Sequence, residues 1–581
     1  MRSTRVDITY IPALALVALA AACGGAPPAP VAPPSPPPVS APPAPPAEHV
    51  LLQLFLDGEL AGHETWAISR PADGTTQIDF ESSIEEKGNK LRGTGSLTLA
   101  PDQTTRAGHI ALETPDGEVK GDLTGTAGTM VLRLARGGES RDVKAERPSN
   151  VFLPQPFFVG FARICPLLDA GTPALVEFPG SAMTIAAHRP LDGDLTLYAV
   201  ERGPLGRSVL ACEKGQLIAA LDPWSGQAAA REGRKAALDA LIVATTRQKP
   251  KTPDGITEED VTVPVPAMAK DGDARLACTF LRPVPASTAQ KRSATKLPAV
   301  VFLSGSGPQD RDEDTVGPGG VKLSIFKAMA IALAQRGVAS LRCDDRGTAR
   351  STGSFELATL TTFVRDAGEM VKALRARGDV DPARIGLVGH SEGGVVAPLV
   401  VQGDPKLKAL VLMAAPGRQI PEIALLQQER MLAQAGVPKE QVDKQVEAQR
   451  AVFDAIRTGQ PLPKDVPESE RAHVDSQRAW LKSHIDNDVQ KTLHDLRALP
   501  ILVTQGAKDL QIPPEDADLV RRGLASGKNA KARVILYPSL NHLFAVSHEG
   551  SLGEYSDPDA QLDVTFLTDV STFLAQALSA K

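Results

Sequence analysis

A serine framed by glycines stands at Gly389-His390-Ser391-Glu392-Gly393, behind the apolar run Ile385 to Val388 and ahead of a second apolar run, Val395 to Val401. When a buried strand turns through G-x-S-x-G into a helix, the serine hydroxyl is lifted into the open, and the glycines let helix and strand pack close. The helix N-terminus supplies positive potential and a free backbone N–H, that of Glu392, to an oxyanion. These features suit nucleophilic acyl transfer.

Serine is a weak nucleophile at neutral pH and needs a base held by a carboxylate, which a strand-turn-helix nucleophile of this kind meets downstream in the order acid, then base. The apolar stretch Pro500 to Gln505 is followed by Gly506-Ala507-Lys508-Asp509, placing Asp509 just past a strand end. The stretch Val534 to Tyr537 is followed by Pro538-Ser539-Leu540-Asn541-His542, placing His542 on the next such loop. Ser391, His542 and Asp509 are thus the expected nucleophile, base and orienting acid. A second oxyanion donor is expected from the glycine-rich stretch Leu303-Ser304-Gly305-Ser306-Gly307, with the Ser306 amide as the candidate.

Other residues of suitable type read as structural. His390 adjoins the nucleophile and is expected to be structural or to line a pocket. His484 and His494 fall in an insertion and read as surface residues. Asp516 and Asp518 follow Pro513-Pro514 at a helix start, where capping explains them. The acidic run Asp310, Asp312, Glu313, Asp314 resembles the start of an EF-hand loop, but Thr315 replaces its glycine and no acid closes it at the twelfth place. No H-E-x-x-H or paired C-x-x-C occurs, so neither metal nor cofactor is expected.

Eight apolar segments can position this chemistry: 260–265, 274–281, 298–304, 339–343, 385–389, 409–414, 501–505 and 534–537. Most are apolar throughout and separated by helical stretches, which describes a mainly parallel sheet covered on both faces. A helical insertion at about 419–498, between the sixth and seventh segments, would lie above the strand ends as a cap.

The sequences Ser304-Gly305-Ser306-Gly307-Pro308-Gln309-Asp310-Arg311-Asp312, Asp344-Asp345-Arg346-Gly347, Gly389-His390-Ser391-Glu392-Gly393-Gly394 and Asn541-His542-Leu543-Phe544 occur in one order. Together they resemble the bacterial α/β-hydrolases of the EstD esterase type, also grouped with serine aminopeptidase-like hydrolases, over about residues 258–581. The resemblance implies an α/β-hydrolase fold and the Ser391, Asp509, His542 triad independently of the strand argument. It departs at Ala349, where such proteins usually carry glycine. Arg346 is expected to tie its own loop down rather than to meet substrate.

Upstream, residues 48–250 read as a separate β-rich domain, so the chain is multidomain. Short alternating segments at 50–56, 76–80 and 130–134, with Asp-Gly pairs at 57–58 and 116–117, indicate antiparallel hairpins. A second β-rich stretch spans 174–221, turning at Asp192-Gly193 after the hydrophobic segment 151–168. No repeat of forty to fifty residues is evident, and about 200 residues is too short for a β-propeller, so a curved sheet or half-barrel is expected. Residues 228–246 read as a polar helix, followed by the linker Gln248 to Gly255.

The N-terminus reads as an export signal, with Arg2 and Arg5 ahead of the apolar run 11–22. That run ends in Leu19-Ala20-Ala21-Ala22-Cys23-Gly24, similar to the lipobox of bacterial lipoproteins, whose cysteine is lipidated. Ala20 stands where lipoboxes favour leucine, and cleavage at an A-x-A-like site is the alternative. Residues 26–47 hold twelve prolines, a composition suited to an extended spacer between a membrane anchor and the folded part. Cys165 and Cys212, and Cys278 and Cys343, are two pairs that an exported protein could oxidise; four buried thiols explain the same residues. Net charge of −6, with both signs mixed along the chain, advertises no nucleic-acid surface.

The expected function is that of an exported serine hydrolase acting on small carboxylic esters through an acyl-enzyme, tethered to the cell envelope through Cys23. An aminopeptidase or acyl-peptide hydrolase is the enzymatic alternative. It requires an anionic site for the substrate ammonium group, for which Glu422 and Glu429 of the cap are candidates if they face the pocket. An envelope-anchored binding protein with a degenerate hydrolase domain is the non-enzymatic one, disfavoured because every triad position is present.

Overall fold

A computed structural model describes residues 47–579 apart from short stretches, the longest at 146–157, 285–295, 170–174 and 317–321. The export-like segment with Cys23, the spacer up to residue 46 and the 151–157 part of the hydrophobic segment lie outside the described residues. The chain divides into two compact units between Thr245 and Thr246. Among the described residues no helix is long and apolar enough to cross a membrane.

The first unit is built on one antiparallel sheet of fourteen strands. They are β1 (Glu48–Leu56), β2 (Glu59–Ser69), β3 (Thr76–Glu86), β4 (Asn89–Leu99), β5 (Thr105–Thr114), β6 (Gly117–Gly125), β7 (Met130–Arg136) and β8 (Glu139–Ala145). There follow β9 (Leu175–Glu177), β10 (Ser181–Asp192), β11 (Leu195–Glu201), β12 (Arg207–Glu213), β13 (Gln216–Leu221) and β14 (Gln227–Arg231). Their order is β8 to β1, then β14 to β9, so the two meanders join where β1 pairs with β14. Alternation puts Val50, Leu52, Leu54, Trp66 and Phe80 on one face, in an apolar cluster shared with Met183, Leu210 and Leu217. Glu64 is buried there and accepts hydrogen bonds from Trp66 Nε1 at 2.7 Å and the Phe158 amide at 3.1 Å. The opposite face is covered by the helix Lys235–Thr245 through Ala237, Leu238 and Leu241.

The polar helix expected over 228–246 is corrected at its start: Gln227–Arg231 is strand β14, and the helix begins at Lys235. Ala228 to Ala230 are good helix formers, but here they are small side chains buried on alternating faces of a paired strand, and packing overrides propensity.

The second unit carries β15 (Ile256–Val265), β16 (Ala274–Pro283), β17 (Leu297–Leu303), β18 (Ala339–Cys343), β19 (Val380–His390), β20 (Ala409–Met413), β21 (Ile501–Gly506) and β22 (Arg533–Tyr537). Their order is β15-β16-β18-β17-β19-β20-β21-β22, parallel from β18 onward, with β15 and β16 antiparallel. Every residue of β20 and β21 is buried, as two covered faces require, whereas edge strand β15 exposes Thr257 to Asp260. Helices Leu360–Ala376, Gly393–Gly403, Val489–His494 and Asp516–Ser526 cover one face, and Ile325–Ala334 packs with Val564–Ser579 on the other.

Between β20 and β21 lie helices Ile420–Gln434, Lys439–Thr458 and Glu468–Ile485, the last two of which share a small core around Val452, Ile456, Leu462 and Val474. The insertion is therefore shorter as a separate layer than the 419–498 expected. Val489, Leu493 and Leu496 belong to the main core, because Val489–His494 packs on Gly393–Gly403 and Asp516–Ser526.

The linker is also anchored more firmly than its composition suggests. Lys249 Nζ lies 2.7 Å from Asp310 Oδ2, 2.7 Å from Asp312 Oδ2 and 3.1 Å from Asp314 Oδ2. The three aspartates of the EF-hand-like run thus surround an ammonium group. Arg346 is buried and bidentate to Asp366 on the helix Leu360–Ala376, tying its loop to the sheet cover. Ala349 in that loop adopts φ +48°, a conformation in which glycine is at ease and alanine is strained.

Both cysteine pairs are joined. Cys165, on the helix Ile164–Asp169, bonds to Cys212 on β12, closing 47 residues, and Cys278 on β16 bonds to Cys343 directly opposite on β18, closing 65. Peptide mapping without reduction should yield these two cross-linked peptides, and Cys212→Ser should lower the unfolding free energy by about 3 kcal/mol in urea titration. Four reactive thiols in the native protein would contradict the pairing.

Candidate active site

Ser391 follows β19 directly and has φ +51°, while helix Gly393–Gly403 starts two residues later. The turn is as tight as the sequence implies. A Cβ on Gly389 would lie 2.1 Å from Gly393 O, and one on Gly393 would lie 2.2 Å from Leu303 O, so no other residue fits at either position. The Ser391 amide donates to Met413 O at 2.9 Å, fixing the turn to the neighbouring strand β20.

Asp509 lies past β21 and His542 past β22, and the two meet: His542 Nδ1 is 2.8 Å from Asp509 Oδ2. Both side chains are buried. Asp509 also accepts from Gln505 Nε2 at 2.8 Å and, on Oδ1, from the Gln511 and Ile512 amides at 2.8 and 2.9 Å. A carboxylate so held has one orientation, and it fixes the proton of His542 on Nδ1, leaving Nε2 as the basic nitrogen. The His542 loop is itself pinned. Asn541 Oδ1 accepts from the Leu543 and Ala545 amides, and Phe544, at φ +55°, stacks on Phe566 with ring centroids 4.1 Å apart.

The glycine-rich loop after β17 lies against the nucleophile, since a Cβ on Gly305 would be 3.2 Å from Ser391 Cβ. Ser306, the candidate second donor, is the next residue. The Gly305 amide is already used, donating to Glu313 Oε1 at 3.0 Å. Asp345 braces the same loop from the other side, with Ser304 Oγ 2.6 Å from its Oδ1 and the Gln309 amide 2.9 Å from its Oδ2. Burial pushes the Asp345 carboxyl well above the usual carboxylate range.

Glu392 contributes a side chain whose role the sequence did not suggest. Its Oε1 accepts from Trp480 Nε1 at 2.8 Å and His484 Nε2 at 2.6 Å, both on the helix Glu468–Ile485, so the insertion is fastened to the residue after the nucleophile. His484 is therefore buried, not a surface residue, whereas His494 is exposed beside Ser526. Asp516 likewise departs from the capping role expected of it. It is buried, accepts from the Gly417 and Arg418 amides at 2.7 and 3.1 Å and pairs with the Arg418 guanidinium, so it anchors the start of the insertion. Asp518 is exposed and pairs with Arg521 and Arg522.

His390 also has a structural place, more specific than expected. It is buried between Glu313 and the main chain of His542. Burial alone would pull its imidazole down, but the charge and hydrogen bond of Glu313 outweigh that and raise it above the ordinary histidine range. Glu313 and Trp480 were missed because nothing in their local sequence marks them. A glutamate at φ +66° in an acidic run is readable only once the loop is folded back on the elbow.

Beside the elbow lies a small cavity of about 60 Å³, lined by Phe302, Ser304, Gly305, Phe355, Phe363 and Glu392 among others. The two cap glutamates considered for binding a substrate ammonium group, Glu422 and Glu429, are exposed on the helix Ile420–Gln434.

Asp509→Asn should lower kcat by about four orders of magnitude without unfolding the protein, because the amide leaves His542 in the wrong tautomer. Steady-state kinetics and a thermal melt check this, and an unchanged kcat would remove Asp509 from the site.

The family model described as serine aminopeptidase, S33, matches residues 320–548. Esterase EstD of Thermotoga maritima is 28% identical over 256 residues, which are 44% of this chain, and the chain spans 56% of that protein's length. Among solved structures, the Pyrococcus furiosus esterase Pf2001 is 14% identical, with 57% of this chain and 98% of that one covered at a TM-score of 0.34. Est1E of Butyrivibrio proteoclasticus, solved with ferulic acid bound, is 16% identical, with 55% and 100% covered at the same TM-score of 0.34. The second unit has the strand order and strand-turn-helix geometry of the α/β-hydrolase fold, and its sequence is similar to esterase EstD and to the serine aminopeptidase family.

Proposed function

We propose that the chain is a carboxylic ester hydrolase that works through an acyl-enzyme on Ser391. The observation that carries the reading is the buried 2.8 Å contact of His542 Nδ1 with Asp509 Oδ2, on two loops at the same end of the sheet as the strained Ser391 turn. Nε2 of His542 takes the Ser391 proton as Oγ attacks the ester carbonyl, then returns it to the leaving alkoxide. The amides of Glu392 and Ser306 receive the negative charge on the carbonyl oxygen. Water activated by the same histidine releases the acid and restores the enzyme.

Esters are favoured over peptides with a free amino terminus because Glu392 and Asp345, which flank the elbow, already accept hydrogen bonds from protein groups. Glu392 Oε1 is taken by Trp480 and His484, and Asp345 by Ser304 and Gln309. Export through the segment 1–23 and lipidation at Cys23 belong to the same proposal, supported by the sequence and by two disulfides, which persist in oxidising compartments.

The mature protein should hydrolyse short p-nitrophenyl esters faster than long-chain esters or aminoacyl p-nitroanilides, and Ser391→Ala should lower that turnover by about a million-fold. Faster cleavage of aminoacyl amides would move the assignment to an aminopeptidase, and comparable activity in the alanine variant would end it.

A further inference from the structure

Three main-chain segments must be held in register for the proposed reaction: the loop carrying the Ser306 amide, the elbow carrying Ser391, and the loop carrying His542. One buried pair of side chains touches all three. Glu313 Oε1 accepts from the amide of Gly305, next to Ser306, at 3.0 Å, and lies 2.6 Å from His390 Nδ1. His390 immediately precedes Ser391, and its Nε2 donates to the main-chain oxygen of His542 at 2.9 Å. The His390 and His542 rings lie 4.7 Å apart.

The proton arrangement follows from the partners. A carbonyl oxygen only accepts, so Nε2 of His390 carries a proton. A carboxylate also only accepts, so Nδ1 carries one when Glu313 is ionised, and the imidazole is then a cation balanced by the carboxylate. The residues are 2% and 4% exposed, and Glu313 Oε2 is buried with no partner among the described residues. A carboxylate left half unsatisfied in the interior is costly, and its two bonds to the elbow and the glycine-rich loop offset that cost.

We propose that Glu313 and His390 are positioning residues that lock the oxyanion loop, the nucleophile and the base loop into one geometry. The proposal rests on the Ser391, His542, Asp509 reading. Loss of the pair lets the three segments drift by fractions of an ångström, which reduces turnover without removing a group that holds the substrate.

The test compares Glu313→Gln, His390→Asn, the double replacement E313M/H390F and Ser391→Ala in the otherwise intact protein, with active sites titrated by a fluorophosphonate. The double replacement leaves no unpaired buried charge and so isolates positioning from folding. The expected result is a fall in kcat per titrated site of about 100-fold in all three pair variants, with KM for a short p-nitrophenyl ester within about twofold of wild type. A role confined to stability would lower the melting temperature and the number of titratable sites but not kcat per site, and that result, above all in E313M/H390F, overturns the proposal. Ser391→Ala separates the two levels. Activity retained there defeats the triad reading itself, whereas an inactive Ser391→Ala beside unimpaired pair variants defeats only the positioning role.

Discussion

Gly389 holds β19 so close to the following helix, and Gly393 that helix so close to the end of β17, that a single added carbon on either would sit about 2 Å from a backbone carbonyl oxygen. That close approach forces Ser391 into a left-handed backbone conformation, and most of the hydrolase domain can be understood as support for it. The Ser391 amide is tied to β20, Gly393 is pressed on the end of β17, and Gly305 lies against Ser391 Cβ. A non-glycine residue at positive φ costs of order 1 kcal/mol and persists only where its surroundings leave no alternative. The central strands, buried on both faces, provide that rigidity.

The electrostatics around the elbow are arranged in layers. Asp509 orients His542, Glu313 balances His390, Asp345 braces the loop after β17, and Glu392 receives Trp480 and His484 from the insertion. Asp509, Glu313 and Glu392 are buried and Asp345 is half-buried, and each has a hydrogen-bonding task that fixes its direction near Ser391. Further out the same economy holds, with Lys249 set among three aspartates and Arg346 against Asp366. The insertion meets the elbow through hydrogen bonds and has only a small apolar core, a construction compatible with movement over the cavity.

What the sequence revealed followed from periodicity and order. The central strands were legible because a sheet covered on both faces demands unbroken apolar runs, and the Asp509–His542 pair because each residue follows a strand in the order this chemistry uses. The residues missed or misread share another property: their partners are distant in the chain. His484 read as a surface residue, yet lies buried on Glu392, 92 positions away, and Asp516 read as a cap, yet holds the Gly417 amide, 99 positions away. Local pattern carries no information about such contacts. At Ala228 to Ala230 local propensity pointed the wrong way, because β1 and β13 supplied strand partners that propensity does not see.

The central claim is that one serine, raised on a strained turn and served by His542, is the nucleophile. Its most direct measurement is mass mapping after treatment with a fluorophosphonate at stoichiometric amounts. The account predicts one adduct per chain, on the peptide containing Ser391, and none when the reagent meets the heat-unfolded protein. An adduct on another serine of the folded protein, or equal labelling of folded and unfolded chains, would contradict it.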